Sequence, residues 1–287
     1  MLYIVILLVV ILLCYYFYIG FKNTHDVVIN QFELAKEAAN NTDVSLQILH
    51  ISDMHLENIS ITPQELYKEL KGCPVDLIAL TGDYLDRKRT IPKLIPYLEA
   101  LNKLNPQYGS YAIFGNHDYV LKEPHFNRLK DLLNEYGFQT LQNENKIIDL
   151  DGQKINIIGI DDYSTNRSDI EKSYQGIEDG YRLVLTHDPN VVLDMAEYDF
   201  DYLLSGHFHG GQICWPKPYH LVKMGKLVRM NMIKGLHDYQ GRPFYISEGL
   251  GQTGVNIRIG SRPEITYHRV FIQDPVLQKQ IEDVKAG

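Results

Sequence analysis

The first stretch of the chain has an uninterrupted apolar pattern, because residues 2–21 contain no charged side chain and Lys22 follows them. A helix of about twenty apolar residues, rising ~1.5 Å per residue, spans the ~30 Å hydrocarbon core of a bilayer. Tyr15, Tyr16 and Tyr18 lie near one end, where aromatic side chains favour the membrane interface. The pattern predicts a transmembrane anchor over 1–21 in a single-pass protein of the cell membrane.

A cleaved signal peptide is the alternative interpretation of this segment. The apolar run has no basic residues before it, and no small-x-small cleavage site directly follows it. These features favour a retained anchor. The single charge of Lys22 does not decide which side of the membrane carries the rest of the chain.

Beyond the apolar run, residues 22–43 are polar and predict a stalk or linker that could contain a short strand or helical stretch. From Val44 onwards, apolar runs of strand length alternate with helix-period segments, which is typical of an α/β domain. Strands are predicted at 45–52, 76–80, 109–114, 181–186 and 201–206, and helices at 62–71, 91–104, 124–136 and 189–197.

Strands become denser after Gly137. Asp151-Gly152 between two apolar runs predicts a β-hairpin, and further strands are predicted at 226–231, 243–247 and 264–272. No linker divides residues 44–275, so we expect one domain there and a C-terminal tail over 276–287. Two packed sheets with helices outside would accommodate this many strands.

The composition excludes some classes of function and some kinds of metal site. Hydrophobic residues make up 45% of the chain and charged residues 22%, as in ordinary folded proteins. A chain with a net charge of −8 does not attract the polyanion duplex DNA, so no nucleic-acid partner is expected. The three cysteines form no C-x-x-C pair, so a metal would need nitrogen and oxygen ligands.

Metal-chelating residue types follow five of the predicted strands. The carboxyl ends of strands in an α/β sheet converge on one crevice, so these residues are expected to meet. A phosphate ester is an anion, and two metal ions would neutralise its charge and supply a nucleophile. The motifs are Asp53-x-His55, Gly82-Asp83-x-x-Asp86, Gly115-Asn116-His117-Asp118, His187 and Gly206-His207-x-His209.

This ordered set resembles the calcineurin-like metallophosphoesterase family over residues 47–270. The resemblance implies a four-layer α/β/β/α sandwich of two mixed β-sheets and a bridging hydroxide as nucleophile. It also implies two divalent ions per chain, with manganese as the first expectation and iron, zinc or cobalt as other candidates. The implied ligands are Asp53, His55 and His209 for one ion, Asn116, His187 and His207 for the other, and Asp83 between them.

The same resemblance implies that His117 is a catalytic residue facing the substrate and that Asp86 pairs with it. Arg87 follows directly and is a candidate for binding a phosphate oxygen, although a surface arginine in the run 87–89 explains it equally well.

The segments 207–216 and 248–258, together with the apolar N-terminus, resemble a bacterial membrane-associated branch of the family. That branch includes enzymes of the UDP-2,3-diacylglucosamine pyrophosphatase type, so we expect a phosphodiesterase or pyrophosphatase acting on a membrane or envelope substrate. The alternatives are a phosphomonoesterase, including a protein phosphatase, and a catalytically silent binding scaffold. No obligate protein partner is indicated.

Overall fold

The computed structural model describes residues 1–34, 44–215 and 217–272. The predicted stalk residues 35–43, the end of the predicted domain at 273–275 and the tail at 276–287 lie outside this range. The helices are α1 (Leu2–Asn23), α2 (Pro63–Leu70), α3 (Ile91–Asn102), α4 (His125–Glu135), α5 (Ile170–Ser173) and α6 (Lys226–Arg229). The strands are β1 (Val28–Leu34), β2 (Val44–Ile51), β3 (Leu77–Thr81), β4 (Ser110–Ile113), β5 (Phe138–Thr140), β6 (Glu144–Leu150), β7 (Gln153–Gly159), β8 (Tyr181–Leu185), β9 (Tyr202–Ser205), β10 (Gly235–Tyr239), β11 (Arg242–Ile246) and β12 (Glu264–Ile272).

The strands form two mixed sheets of six. The first sheet has the order β1-β12-β2-β3-β4-β5, and the second has the order β10-β11-β9-β8-β7-β6. The central strands β2, β3 and β4 run parallel, as do β7, β8 and β9 in the second sheet. Their carboxyl ends therefore lie along one edge of each sheet.

Alternating side chains of each sheet enter different cores. Ile48 of β2 belongs to a buried cluster shared by both sheets, whereas its neighbour Leu49 packs with Leu66 of α2 and Leu94 of α3. A third cluster covers the outer face of the second sheet. The predicted α/β fold with two packed mixed sheets and helices outside is confirmed.

Local signals in the sequence also hold. Thr62 and Glu65 form a capping box at the start of α2, with Pro63 at its first position. Asp151 and Gly152 both have positive φ (51° and 86°) and close the antiparallel hairpin of β6 and β7, as a turn of the I′ class requires.

The short stretch of structure allowed for the predicted stalk is a strand, because β1 pairs in parallel with β12 and Phe32 packs 4.9 Å from the ring of Tyr245. Two local predictions need correction. The segment predicted as a strand at 226–231 is the short helix α6, with its buried Leu227 packed in the third cluster. The segment predicted as a helix at 189–197 is a 3-10 helix, Pro189–Asp194. The division into anchor, stalk, domain and tail otherwise stays a prediction.

Helix α1 is long and apolar enough to cross a membrane by length and composition. Its last turns contact the rest of the chain along one face. Tyr16 stacks on Trp215, the carbonyl oxygen of Gly20 accepts a hydrogen bond from the backbone N–H of Arg258 at 2.8 Å, and the Asn23 amide donates to the Arg258 carbonyl oxygen at 2.8 Å. The preceding turns of α1 are exposed.

Candidate metal centre

Side chains that can bind metals gather where five parallel strands end. Asp53 and His55 follow β2, Asp83 follows β3, and Asn116 and His117 follow β4 in the first sheet. From the second sheet, His187 follows β8, and His207 and His209 follow β9. The structure brings the predicted Asp and His residues together at this edge, and Asn116 lies next to His117 in the loop after β4.

These side chains are close enough to one another to bind the same ions. The carboxylate of Asp83 lies 3.0 Å from Nε2 of His187 and 3.6 Å from Nε2 of His55. The carboxylate of Asp53 lies 3.3 Å from Nε2 of His209, and the Nε2 atoms of His55 and His209 are 3.2 Å apart. Three groups have ligand atoms close enough to hold an ion, namely Asp53–His55–His209, His55–Asp83–His117 and Asp83–His187–His207.

Asp53 and Asp83 are completely buried anions. Burial by itself raises the pKa of each carboxyl group, but the neighbouring imidazoles, His209 and His187 for Asp53 and chiefly His187 for Asp83, hold both pKa values below the ordinary range. Two negative charges that repel each other in a buried site need positive charge beside them. Divalent ions would supply that charge.

Two of the histidines are poised as neutral ligands. Burial lowers the pKa of His209 to about 3 and also lowers that of His207, so both imidazoles are uncharged at neutral pH. Nδ1 of His187 donates to the carbonyl oxygen of Thr81 at 2.7 Å, which turns Nε2 towards the carboxylates. A hydrogen bond of this kind fixes the orientation of a metal-binding histidine.

Two buried polar atoms at this edge are unpartnered. Within the described part of the chain, Oδ1 of Asn116 and Nδ1 of His209 have no hydrogen-bond partner. Buried polar atoms normally have one. A donor set of carboxylate, imidazole and amide groups with free lone pairs fits first-row divalent metal ions.

His117 and Asp86 lie at the more open side of this site. Nδ1 of His117 donates to Oδ1 of Asp86 at 2.8 Å, and the two side chains are 30% and 29% exposed. Burial disfavours the charged imidazole, but the hydrogen bond to Asp86 and the charges of Asp83 and Asp86 outweigh it and raise the pKa of His117 to about 9. His117 therefore carries a proton at neutral pH. The same Asp86 oxygen accepts from Nδ1 of His55 at 3.2 Å.

Comparison with known proteins agrees with this geometry. The family described as Calcineurin-like phosphoesterase matches residues 46–211, more than half of the chain. The chain belongs to the calcineurin-like metallophosphoesterase family. It is therefore a phosphoester hydrolase, and its family depends on two metal ions; the identity of the ions and the role of each residue stay predictions.

Three relatives have informative names. The metallophosphoesterase YkoQ of Bacillus subtilis is 65% identical over 255 residues, which cover 89% of this chain and 94% of YkoQ. The UDP-2,3-diacylglucosamine pyrophosphatase LpxG of Chlamydia trachomatis is 25% identical, over 79% of this chain and 84% of LpxG. A transmembrane protein with a metallophosphoesterase domain from Bos taurus is 28% identical, over 77% of this chain and 52% of its own length.

Asp118 holds the backbone of two loops of this site in place, although sequence reasoning assigned it no role. Its carboxylate accepts hydrogen bonds from the backbone N–H groups of Asp83, Tyr84 and Gly115 at 2.8 to 2.9 Å. It thereby ties the loop after β3 to the loop after β4. The signal was present in the sequence, because Asp118 directly follows the Gly115-Asn116-His117 motif.

Positions 115 and 206 require glycine because neighbouring side chains lie too close to the backbone for a Cβ atom. A Cβ at Gly115 would collide with the Asp83 carboxylate, and a Cβ at Gly206 would collide with Ser52 and Asp53. These positions let the strand ends of the two sheets come within ligand distance of one another.

Arg258 is a second supporting residue that sequence reasoning missed. Its fully buried guanidinium donates to five backbone carbonyl oxygens. Its backbone also bonds α1 through Gly20 and Asn23, so one residue contacts both the helix and the loop of the ligand residue His209. The acceptors are the carbonyl oxygens of His209, Glu248, Gly249, Gly251 and Arg262.

The predicted substrate residue Arg87 has an exposed side chain beside the site. It lines a cavity of about 220 Å³ together with Asp86, Arg89 and Lys93. Only its backbone is fixed, since its N–H donates to Glu57 at 3.0 Å. The side chain is thus available to a ligand, and its predicted role stays a prediction.

We predict that Arg258→Lys lowers the free energy of unfolding and weakens metal binding. Lysine offers three donors in place of a fork that reaches five carbonyl oxygens, so at least two acceptors lose their partner. At ~1–3 kcal/mol for each buried orphan, the loss is about 2 to 6 kcal/mol. Denaturant unfolding and metal content measure the two effects. Arg128→Lys, which alters an exposed ion pair with Glu135, is the matched control. Equal behaviour of the two variants would contradict the prediction.

Proposed function

We propose that this metallophosphoesterase hydrolyses a phosphodiester or pyrophosphate bond in a membrane or cell-envelope substrate, and that its catalysis depends on two divalent ions. The observation that carries the metal dependence is the pair of buried, ionised carboxylates Asp53 and Asp83 among imidazoles with free lone pairs. When bound, two ions supply charge neutralisation at the phosphate and a nucleophile at neutral pH.

The proposed ligands combine shared space with the motif pattern of the family. Asp53, His55 and His209 are assigned to one ion, and His187 and His207 to the other. Asn116 is added to the second ion from the family pattern and its unpartnered Oδ1, and His117, which also lies near His55 and Asp83, is kept apart from the ligands on the family pattern. Asp83 is assigned to both, because its Oδ2 lies close to Nε2 of His55 and to Nε2 of His187, which belong to different ligand groups. Manganese is our first choice of metal, with iron, zinc and cobalt suited to the same ligands.

His117 is proposed as the general acid. Its imidazolium, with Nδ1 bound to Asp86, keeps Nε2 free to give a proton to the leaving oxygen or to stabilise charge on the phosphoryl oxygens. Asp86 positions the ring and keeps it protonated. Retention of all the assigned ligands and of this pair argues against the alternative of a silent binding scaffold.

The basic cavity beside the site favours a substrate with a second anionic group. Arg87, Arg89 and Lys93 outnumber the two carboxylates of its lining, Glu57 and Asp86, within a chain whose net charge is −8. A pyrophosphate or diester extends past the reacting phosphorus, whereas a simple phosphomonoester would not need this cavity. Arg87 is therefore proposed to bind the second group.

Membrane attachment through α1 completes the proposal. The helix is apolar on all the turns that extend from the domain, and nothing in the described residues covers those turns. The Bos taurus relative is named a transmembrane protein, and LpxG is named for a diacylated substrate. Both names support a location at a membrane. The side of the membrane that carries the metal centre is left open.

The first test of function uses the full-length protein in detergent with bis-p-nitrophenyl phosphate. We expect Mn²⁺ to support hydrolysis and a chelator to abolish it. His117→Ala should lower kcat by about 10²- to 10⁴-fold while the metal content stays unchanged, whereas Asp83→Asn should lose metal as well. His125→Ala on α4 is the control. Loss of metal from His117→Ala would contradict the separation of acid from ligands, and faster turnover of p-nitrophenyl phosphate would favour the monoesterase alternative.

The pH profile tests the pairing of His117 with Asp86. The imidazolium is present below the raised pKa of about 9 and is lost as the pH rises through it, so activity should fall on the alkaline side. Asp86→Asn removes the charge that raises this pKa. We expect the alkaline limb of kcat/KM to move to lower pH by about 1 to 3 units. Asp179→Asn, an exposed change, should leave the limb in place. An unmoved limb in the Asp86 variant, with metal retained, would sink the assignment.

Arg87→Ala tests the second anionic subsite. One charge-assisted hydrogen bond lost at a partly solvated site should raise KM by about 10-fold for a nucleoside diphosphate ester. KM for bis-p-nitrophenyl phosphate should stay the same, because that substrate does not fill the cavity. Arg128→Ala serves as a control for loss of an exposed arginine. Equal KM changes for both substrates would show that Arg87 has no such subsite role.

A further inference from the structure

The segment that follows the ligand residue His209 has a charge pattern unlike the rest of the chain. No aspartate or glutamate occurs between Asp201 and Asp238, whereas the whole chain has a net charge of −8. We call residues 215 and 217–230 the interfacial segment. Its basic residues, all exposed, are Lys217, Lys223, Lys226 and Arg229.

The interfacial segment also exposes large apolar side chains. Trp215 is 66% exposed, Val222 52% and Met230 46%. The segment is nevertheless fixed to the domain, because Leu221 and Leu227 are buried in the cluster on the outer face of the second sheet. Apolar and basic side chains that are displayed together on an anchored segment are typical of surfaces that enter the headgroup layer of a membrane.

The contact of Trp215 with α1 indicates how deep the interfacial segment lies relative to the membrane. The rings of Tyr16 and Trp215 stack with centroids 5.6 Å apart and an interplanar angle of 19°. Tyr16 precedes Phe21, at the end of the apolar run, by five residues, or about 7.5 Å along a helix. If residues 2–21 span the bilayer, the Trp215 ring lies at the depth that interfacial apolar side chains reach, about 5–10 Å.

We propose that the interfacial segment docks on the anionic surface of the membrane that holds α1, with Trp215 in the headgroup–acyl boundary and the basic side chains on lipid phosphates. The proposal rests on the membrane attachment proposed above. Charge complementarity and continuity with the membrane helix favour a lipid surface over a protein partner. The docking also sets the orientation of the domain, because the segment begins six residues after His209.

Trp215 is the single tryptophan of the chain and therefore reports directly on this surface. The full-length protein would be reconstituted in nanodiscs of phosphatidylcholine alone or with phosphatidylglycerol. We expect anionic discs to shift Trp215 emission to shorter wavelength and to lower its quenching by acrylamide. Lipids brominated near the headgroup end of the acyl chains should quench it more strongly than lipids brominated near the chain ends.

Charge reversal separates docking from anchoring. Lys217→Glu/Lys223→Glu should weaken docking on anionic discs by at least on the order of 30-fold, since each basic side chain lost from the surface removes about fivefold. Lys146→Glu/Lys172→Glu makes the same charge change at exposed positions on β6 and α5, and should have no effect. Hydrolysis of bis-p-nitrophenyl phosphate should be unchanged in both variants.

The outcomes distinguish the two proposals. Extraction of the unaltered protein from membranes by alkaline carbonate would contradict the anchor itself. Retention in the membrane with Trp215 equally open to acrylamide in both kinds of disc would overturn the docking surface and leave the anchor standing. Equal shielding of Trp215 in detergent and in both kinds of disc would overturn it in favour of a protein contact.

Discussion

The structure depends on one electrostatic constraint, which is the burial of the ionised carboxylates Asp53 and Asp83 close to each other. Water cannot stabilise them, and each raises the free energy of the other's charge. Burial disfavours a charged His187, but Asp83 and Asp53 outweigh it and raise the pKa of this imidazole, so His187 provides part of the compensation. Divalent ions would provide the rest. Hydrolytic function and folding are therefore linked in this protein, because the arrangement that binds metal is costly without it.

The backbone pays a second cost at the same place. Several of the proposed ligand residues adopt a left-handed conformation that non-glycine residues avoid, at on the order of 1–3 kcal/mol each. Their loops are held by hydrogen bonds from outside the ligand set: the Asp118 carboxylate joins the loops after β3 and β4, and the Arg258 guanidinium holds the loop that carries His209. Rigid support of this kind keeps ligands within tenths of an ångström of their working positions. The positive φ values are 50° for Asp53, 36° for His55, 55° for Asp83, 75° for His207 and 51° for His209.

The parts of this architecture that the sequence predicted are those with local causes. The apolar runs of β2, β3 and β8 and the polar residues directly after them predict strands that end in one crevice, and the hairpin at Asp151-Gly152 needs only its turn residues. Strand β1 was not located in the sequence because polar residues interrupt its short apolar pattern and its partner β12 lies more than two hundred residues away. Arg258 escaped because five carbonyl acceptors contributed by three chain segments are invisible in a sequence that shows only one arginine after an Asn-Ile pair.

Arg258 also connects the apolar helix α1 directly to the loops of the proposed metal centre. Its backbone is bonded to Gly20 and Asn23 of α1, and its side chain is bonded to the loops after β9 and β11. Beside the stacking of Tyr16 on Trp215, Arg258 therefore connects the end of α1 to the carbonyl oxygen of His209 through one buried residue. If the substrate lies in a membrane, as proposed above, that connection would hold the proposed metal centre at a constant height above the bilayer.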